Sequence, residues 1–299
     1  MEQTDRQISV VQTDWVQSLL PPRPADSHKG MFGRALLCVG SKQYTGAALL
    51  SAAAALRVGC GLLEVAVPGT VKQAFCALPE ACCTVVNQGD GWDETANQNA
   101  VRLLPGKQAV GIGCGMGEAT DTHLLYAALQ ANIPLVLDAD ALNLLAKKSE
   151  LKYYLHQNVI LTPHAGEMAR LLGCSITDVT QNSIDIAIKT AKRWNCVVLL
   201  KGATTVIASP TNAALNKTGN PGLSKGGSGD VLTGLLTGLL AQGLSSFDAA
   251  CTGAYLLGLS ADQALMILGN RMLMASDVVG AVEMTLGQLT AIKTAGSQE

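Results

Sequence analysis

The stretch Gly219-Asn220-Pro221-Gly222-Leu223-Ser224-Lys225-Gly226-Gly227-Ser228-Gly229-Asp230 runs directly into Val231-Leu232-Thr233-Gly234-Leu235-Leu236-Thr237-Gly238-Leu239-Leu240. Apolar residues at 231, 232, 235, 236, 239 and 240 predict an amphipathic helix that starts near Gly229. The run ahead of it lacks bulky side chains, so several backbone N–H groups can converge where the positive end of the helix points. Such a place suits an anion, above all a phosphate. Asp230 in the first turn would repel a phosphate and has two readings. It complements the helix dipole, or it takes a proton from an attacking hydroxyl while the N–H groups hold a transferring phosphoryl group. The glycines at 219, 222, 226, 227 and 229 favour the second, with Asp230 as base and Gly227, Ser228 and Gly229 as the cradle.

What surrounds this stretch is an alternation of short apolar runs and helical patterns. Arg34–Gly40 reads as a buried strand, Ala47–Val58 as an alanine-rich helix and Leu62–Val67 as the next strand, one β-α-β unit. Strands are expected again at Thr84–Val86, Ala109–Ile112, Leu135–Asp138, Val159–Thr162 and Val197–Lys201. Thr204–Ala208 and Ala213–Lys217 read as an antiparallel pair, and Phe247–Leu268 and Ser276–Ile292 as helices. Short all-apolar strands separated by helices predict an α/β fold, a mostly parallel sheet covered on both faces in three layers. A composition with 48% hydrophobic but only 4% aromatic residues and 31 glycines fits close helix-on-sheet packing. The polar leader 1–27, with Pro21, Pro22 and Pro24, is expected to be an extended arm after a possible first helical turn. Residues 28–299 are expected to form a single domain.

The bulk properties narrow the partners. A net charge of −2 gives no electrostatic ground for nucleic acid or an anionic membrane. No uncharged apolar run is long enough to span a bilayer, since Arg57, Asp230 and Asp262 interrupt the longest candidates. Nine cysteines without any Cys-x-x-Cys read as reduced core residues, and with no apolar leader the expected location is the cytoplasm.

The expected strands end in polar or glycine punctuation: Gly40-Ser41, Gly113-Cys114-Gly115-Met116-Gly117, Asp138-Ala139-Asp140, Thr162-Pro163-His164 and Lys201-Gly202. In a parallel sheet those ends line one crevice, where ligands bind. Gly111 to Gly117 lacks the dinucleotide spacing G-x-G-x-x-G, and no P-loop motif occurs. Its glycines serve a tight turn or a ligand-contacting loop. His164 is a helix cap or a substrate contact. Asp138 and Asp140 bind magnesium, orient a ligand or cap the next helix, and Asp140 reads as a cap. Lys201-Gly202-Ala203-Thr204-Thr205 holds nucleotide phosphates or is a solvated turn. His28, His123 and His156 form no zinc spacing, so no metal ligands are assigned.

Taken in order, His28-Lys29-Gly30 to Arg34, Tyr44-Thr45-Gly46-Ala47, Leu137-Asp138-Ala139-Asp140-Ala141-Leu142-Asn143, Leu161-Thr162-Pro163-His164-Ala165-Gly166-Glu167, Lys201-Gly202 and Gly219 to Asp230 resemble the ADP- or ATP-dependent NAD(P)H-hydrate dehydratase family of the ribokinase-like superfamily. The resemblance implies repair of hydrated nicotinamide cofactors: a ring hydroxyl is phosphorylated, phosphate leaves and the double bond re-forms. It implies Mg²⁺ as cofactor and ADP or ATP as co-substrate, with a homo-oligomeric, possible tetrameric, assembly. By the same resemblance Ala47, Gly115, Gly117, His164 and Asp230 contact the hydrate, and Lys201, Gly202, Ala203, Thr204, Thr205 and Gly229 contact the nucleotide.

The chain departs from that pattern at Cys114 and Met116, where proline and leucine are usual, at Ala165, where proline is common, and at Lys225, where a small residue is typical and a charge bears on phosphate preference. The family's companion epimerase domain is not expected ahead of residue 28. A vitamin-precursor kinase of the same fold is the alternative, and it would release a stable phosphate ester. A non-catalytic nucleotide-binding regulator would bind nucleotide without turnover.

Overall fold

Short leucine- and valine-rich runs with no polar face bury themselves as strands of one sheet, and the longer amphipathic stretches between them cover it. The computed structural model describes residues 8–117, 121–269 and 271–295. In chain order its elements are β1 (Ser9–Val10), α1 (Thr13–Leu19), β2 (Arg34–Cys38), α2 (Thr45–Arg57), β3 (Leu62–Pro68), β4 (Cys82–Asn87), α3 (Glu94–Val101), β5 (Ala109–Ile112), α4 (His123–Gln130), β6 (Leu135–Leu137), α5 (Asp140–Lys147), β7 (Val159–Leu161), α6 (Ala165–Leu172), α7 (Ile176–Gln181), α8 (Ser183–Trp194), β8 (Val197–Leu200), β9 (Thr205–Ala208), β10 (Ala213–Asn216), α9 (Ser228–Ala241), α10 (Ser246–Leu268) and α11 (Ala275–Ala295).

The sheet order is β1-β10-β9-β8-β7-β6-β5-β2-β3-β4. From β4 across to β8 every pair is parallel, as expected. The hairpin β9–β10 then pairs antiparallel with β8. The chain winds outward through β2, β3 and β4, returns to place β5 beside β2, and winds the other way. The loops after β2 and β5 therefore diverge at a topological switch point, the place where an open parallel sheet leaves a crevice. Gly40 N–H closes that seam by donating to Cys114 O at 2.7 Å.

Successive strand residues point to opposite layers. Leu37 and Val39 join the core under α2, α9, α10 and α11, while Leu36 and Cys38 join the core under α3, α4, α5, α6 and α8. Helix α9 is buried along almost its whole length. It can be so because a Cβ at Gly234 would collide with Ser51 O of α2, and one at Gly238 with Val58. The glycines of α9 thus bring two backbones into contact and fix where its N-terminus emerges.

The leader, expected as an extended arm after a possible first helical turn, has such a helix and docks on the body. Residues 1–7 lie outside the described residues. Residues 9 and 10 pair in parallel with Ala214 and Leu215 as an edge strand. Helix α1 then buries Val16 fully and ties Thr13 to Tyr255 through a 2.7 Å hydroxyl contact. The three prolines follow as extended chain, and Arg23 stacks over Phe32 at 4.0 Å. Val11, Val16 and Leu20 are buried in the core, and Trp15 packs beside Phe247. Helix α10 is long and apolar enough to cross a membrane by length and composition; here 61% of its most apolar stretch is buried inside the protein.

Candidate active site

The loops after β2, β5, β6, β7 and β8 and the N-terminus of α9 meet at the switch point. Gly227 precedes α9 with φ +100, a conformation that glycine adopts without strain. Ser228 and Gly229 open the helix, and their N–H groups precede any carbonyl the helix could offer them. Asp230 sits in this first turn, as expected. A Cβ at Gly229 would lie 3.2 Å from Asp138 Oδ2 and 3.5 Å from Lys201 Nζ, so the cradle faces a charged pair rather than solvent alone.

Asp138 is the buried hub, only 2% exposed. Its Oδ1 accepts from Lys201 Nζ at 2.8 Å and from Ala139 N–H at 2.8 Å, and Oδ2 accepts from the Thr233 hydroxyl at 3.1 Å. Ala139 pays for this with φ +48, an uncommon conformation for a residue bearing a Cβ. Lys201 also approaches Glu167 Oε2 at 3.8 Å. Burial by itself would lower the ammonium pKa, but the Asp138 and Glu167 carboxylates outweigh it and the pKa is raised. Lys201 therefore stays charged.

The Asp230 carboxyl is pushed up to about 6, chiefly by burial. The Cys114 thiol and Lys201 pull it down, whereas Asp138 and Asp140 push it further up. A carboxylate that titrates near 6 is still ionised at neutral pH, yet is basic enough to accept a proton in a transition state. Cys114, fully buried in the loop after β5, occupies the usual proline position, and its thiol is among the groups that hold the Asp230 pKa down.

A cleft and a glycine shelf lie near the N-terminus of α9. On one side lies a cleft of about 680 Å³ with Lys201, Gly202, Ala203 and Thr205 on one wall and Gly219 to Gly226 on the other, reaching Ser228 and Gly229. Thr204 of the expected nucleotide set is exposed in the turn and does not line this cleft. Asp262 of α10, unsignalled in the sequence, holds the second wall by accepting from Gly219 N–H and Asn220 Nδ2, each at 2.9 Å. Lys225 is spent on structure: Nζ donates to Arg271 O and Leu273 O, both at 2.8 Å.

On the other side is a shelf. Gly115 lies against Tyr44 and Ala47, within 3 Å of both if it carried a Cβ. Gly117 N–H donates to Asp140 Oδ2 at 2.8 Å. Asp140, read from the sequence as a cap, is instead the acceptor that pins the glycine loop, and burial raises its pKa. His164 does cap α6: Nδ1 accepts from Gly166 N–H at 2.9 Å, and Glu167 Oε2 accepts from His164 N–H at 2.8 Å in a capping box. Its ring is 54% exposed and also lines the cleft.

A carboxylate in the first turn of a helix whose opening residues Ser228 and Gly229 line a nucleotide-sized cleft is an arrangement that can serve phosphoryl transfer. Against known proteins, a family model described as NAD(P)H-hydrate dehydratase matches residues 35–278. The chain belongs to the NAD(P)H-hydrate dehydratase family. It is 41% identical over 286 residues to a bifunctional NAD(P)H-hydrate repair enzyme of Moorella thermoacetica, covering 92% of this chain and 53% of that protein. It is 39% identical to the ADP-dependent (S)-NAD(P)H-hydrate dehydratase of Neisseria meningitidis, covering 80% of each. The crystal structure of the ADP/ATP-dependent NAD(P)H-hydrate dehydratase from Bacillus subtilis, co-crystallized with ATP/Mg²⁺, superposes with a TM-score of 0.82 at 30% identity, over 95% of this chain and 99% of that one. The chain thus spans about half the length of the bifunctional relatives it matches. The α/β fold is that of the ribokinase-like proteins.

Proposed function

We propose that this chain dehydrates the S form of NAD(P)H hydrate back to NAD(P)H, using ADP (giving AMP) or ATP to phosphorylate the ring hydroxyl transiently. The observation that carries this reading is the position of Asp230 in the first turn of α9, directly after the Gly229 that lines the cleft, with a carboxyl pKa of about 6. In the first step Asp230 takes the proton of the ring hydroxyl as its oxygen bonds to the terminal phosphorus of the nucleotide, and the bond to the nucleotide's bridging oxygen breaks. The Ser228 and Gly229 N–H groups offset the charge that develops on the transferring group. In the second step the ring nitrogen's lone pair expels phosphate, and loss of a proton from the adjacent carbon re-forms the ring double bond.

The proposal includes Mg²⁺. Among the described residues no group of three His, Cys, Asp or Glu forms a cage. The oxygen donors present suit a hard cation held mainly through phosphates and water, with Asp138 Oδ2 facing Gly229 as the protein contact. Bound there, it would neutralise phosphate charge. A cytosolic setting and a homo-oligomeric assembly belong to the same proposal; the nine unpaired cysteines support the reducing compartment. Purified chain with NAD(P)H hydrate, Mg²⁺ and either ADP or ATP should restore reduced-nicotinamide absorbance. A stable phosphate ester without that recovery would instead mark a kinase.

A further inference from the structure

Beyond Gly117 the shelf opens into a second groove of about 530 Å³, walled by Asp140, Asn143, Lys147 and Arg170. It is not part of the cleft that Lys201 and Gly229 line. One end meets the shelf loop at Gly117, and the other lies near the His164 cap of α6. Asp140 accepts the Gly117 N–H, and a Cβ on Gly166 would lie 2.8 Å from His164 Cε1 and 3.8 Å from Arg170 Nη1. Gly117 lines this groove and belongs to the same glycine loop as Gly115, so the groove adjoins the shelf.

The chemistry of the groove is anion-binding with sugar contacts. Lys147 and Arg170 are both exposed, and neither forms an ion pair among the described residues. Arg170 is not slack, because Nε donates to Asn143 Oδ1 at 3.1 Å, which leaves the far edge of the guanidinium to point at a ligand. Asp140 and Asn143 lie between the two cations as hydroxyl partners. Neither Lys147 nor Arg170 touches Asp230, so they have no part in the proton transfer.

We infer that this groove binds the phosphate-bearing half of the dinucleotide substrate, with Lys147 and Arg170 as the cations that hold its phosphates. This rests on the hydrate-dehydratase reading and adds to it where the bulk of the substrate lies. It also separates the roles of the two spaces, the cleft for the phosphoryl donor and the groove for the adenylate arm of the hydrate. Asp140 and Asn143 take ribose hydroxyls, and the cations take the pyrophosphate, the 2′-phosphate of the NADPH form, or both.

The test is steady-state kinetics of Lys147→Ala, Arg170→Ala and Arg170→Lys with NADH hydrate and with NADPH hydrate, each at saturating ADP, with Lys189→Ala on α8 as a control for charge loss. The alanine variants should raise the hydrate KM about 10-fold each, with kcat within about 2-fold and the KM for ADP unchanged, and Arg170→Lys should recover part of the loss. A rise for both hydrates assigns the pyrophosphate, and a rise for the NADPH form alone assigns the 2′-phosphate; both support the site. Normal turnover of hydrate by all variants with unchanged KM overturns the groove assignment and leaves the dehydratase reading standing. If the unsubstituted chain fails to turn over either hydrate, the dehydratase reading falls and the groove assignment with it.

Discussion

Lys201 Nζ and Asp138 Oδ1 are 2.8 Å apart, which joins the ends of two parallel strands 63 residues distant in sequence directly behind the phosphoryl cradle. Lys201 thereby serves the pocket in two ways, as its cationic wall and as the counter-charge of a buried carboxylate. Lys201→Met should leave Asp138 uncompensated and cost about 3 kcal/mol of stability. Asp138→Asn in the same chain should return much of that loss. Chemical denaturation of the two single variants and the double variant measures it, and additivity of the single effects would show that the pair is not coupled.

The pH dependence follows from the direction of the Asp230 shift. A base must be unprotonated to act, and burial has raised this carboxyl to about 6, so kcat should fall below that pH and level off above it. Cys114 lowers the same group through its thiol. Cys114→Ala should therefore move the acid limb to higher pH with the plateau little changed. A limb that stays in place in this variant would show that the thiol does not act on the carboxylate.

These two dependences show where sequence reading stops. The strands and helices were legible because each is a short apolar run or a helical period bounded by glycine or polar residues, and the phosphoryl cradle because its glycines sit next to one another. The pairing of Lys201 with Asp138, the hold of Asp262 on the cleft wall and the use of Asp140 to pin Gly117 all join residues far apart in the chain. No spacing encodes them. Lys225 is a further case: its charge was read as bearing on phosphate preference, and in the fold its ammonium donates to two backbone carbonyls. The leader hid its docking because a two-residue edge strand has too little pattern to be read.

Asp262 accepts from Gly219 N–H and Asn220 Nδ2 and so fixes the wall of the cleft from helix α10. Asp262→Ala frees that wall. The KM for ADP should rise about 10-fold, the equivalent of one or two lost hydrogen bonds, while kcat at saturating nucleotide changes less. An unchanged nucleotide KM would place the binding determinants elsewhere.

Ala165 is the first residue of α6, after His164 at φ −81 and ψ 173. That is a conformation a residue before proline adopts readily, and an N–H at the first helical position has no intrahelical partner to lose. Ala165→Pro should therefore stabilise the chain by about 0.5–1 kcal/mol through its unfolded state, with Tm raised by ~1–3 °C and kcat unaltered. A fall in Tm would mean that the loop cannot take the ring.

The most direct measurement compares single-turnover phosphoryl transfer and ADP affinity in the unsubstituted chain and in Asp230→Asn, with NAD(P)H hydrate and Mg²⁺ at pH 8. The isosteric amide keeps the shape of the first turn of α9 and removes the proton acceptor. The predicted result is a loss of at least ~100-fold in turnover with the Kd for ADP nearly the same; turnover within a few fold of the unsubstituted chain would contradict Asp230 as the base.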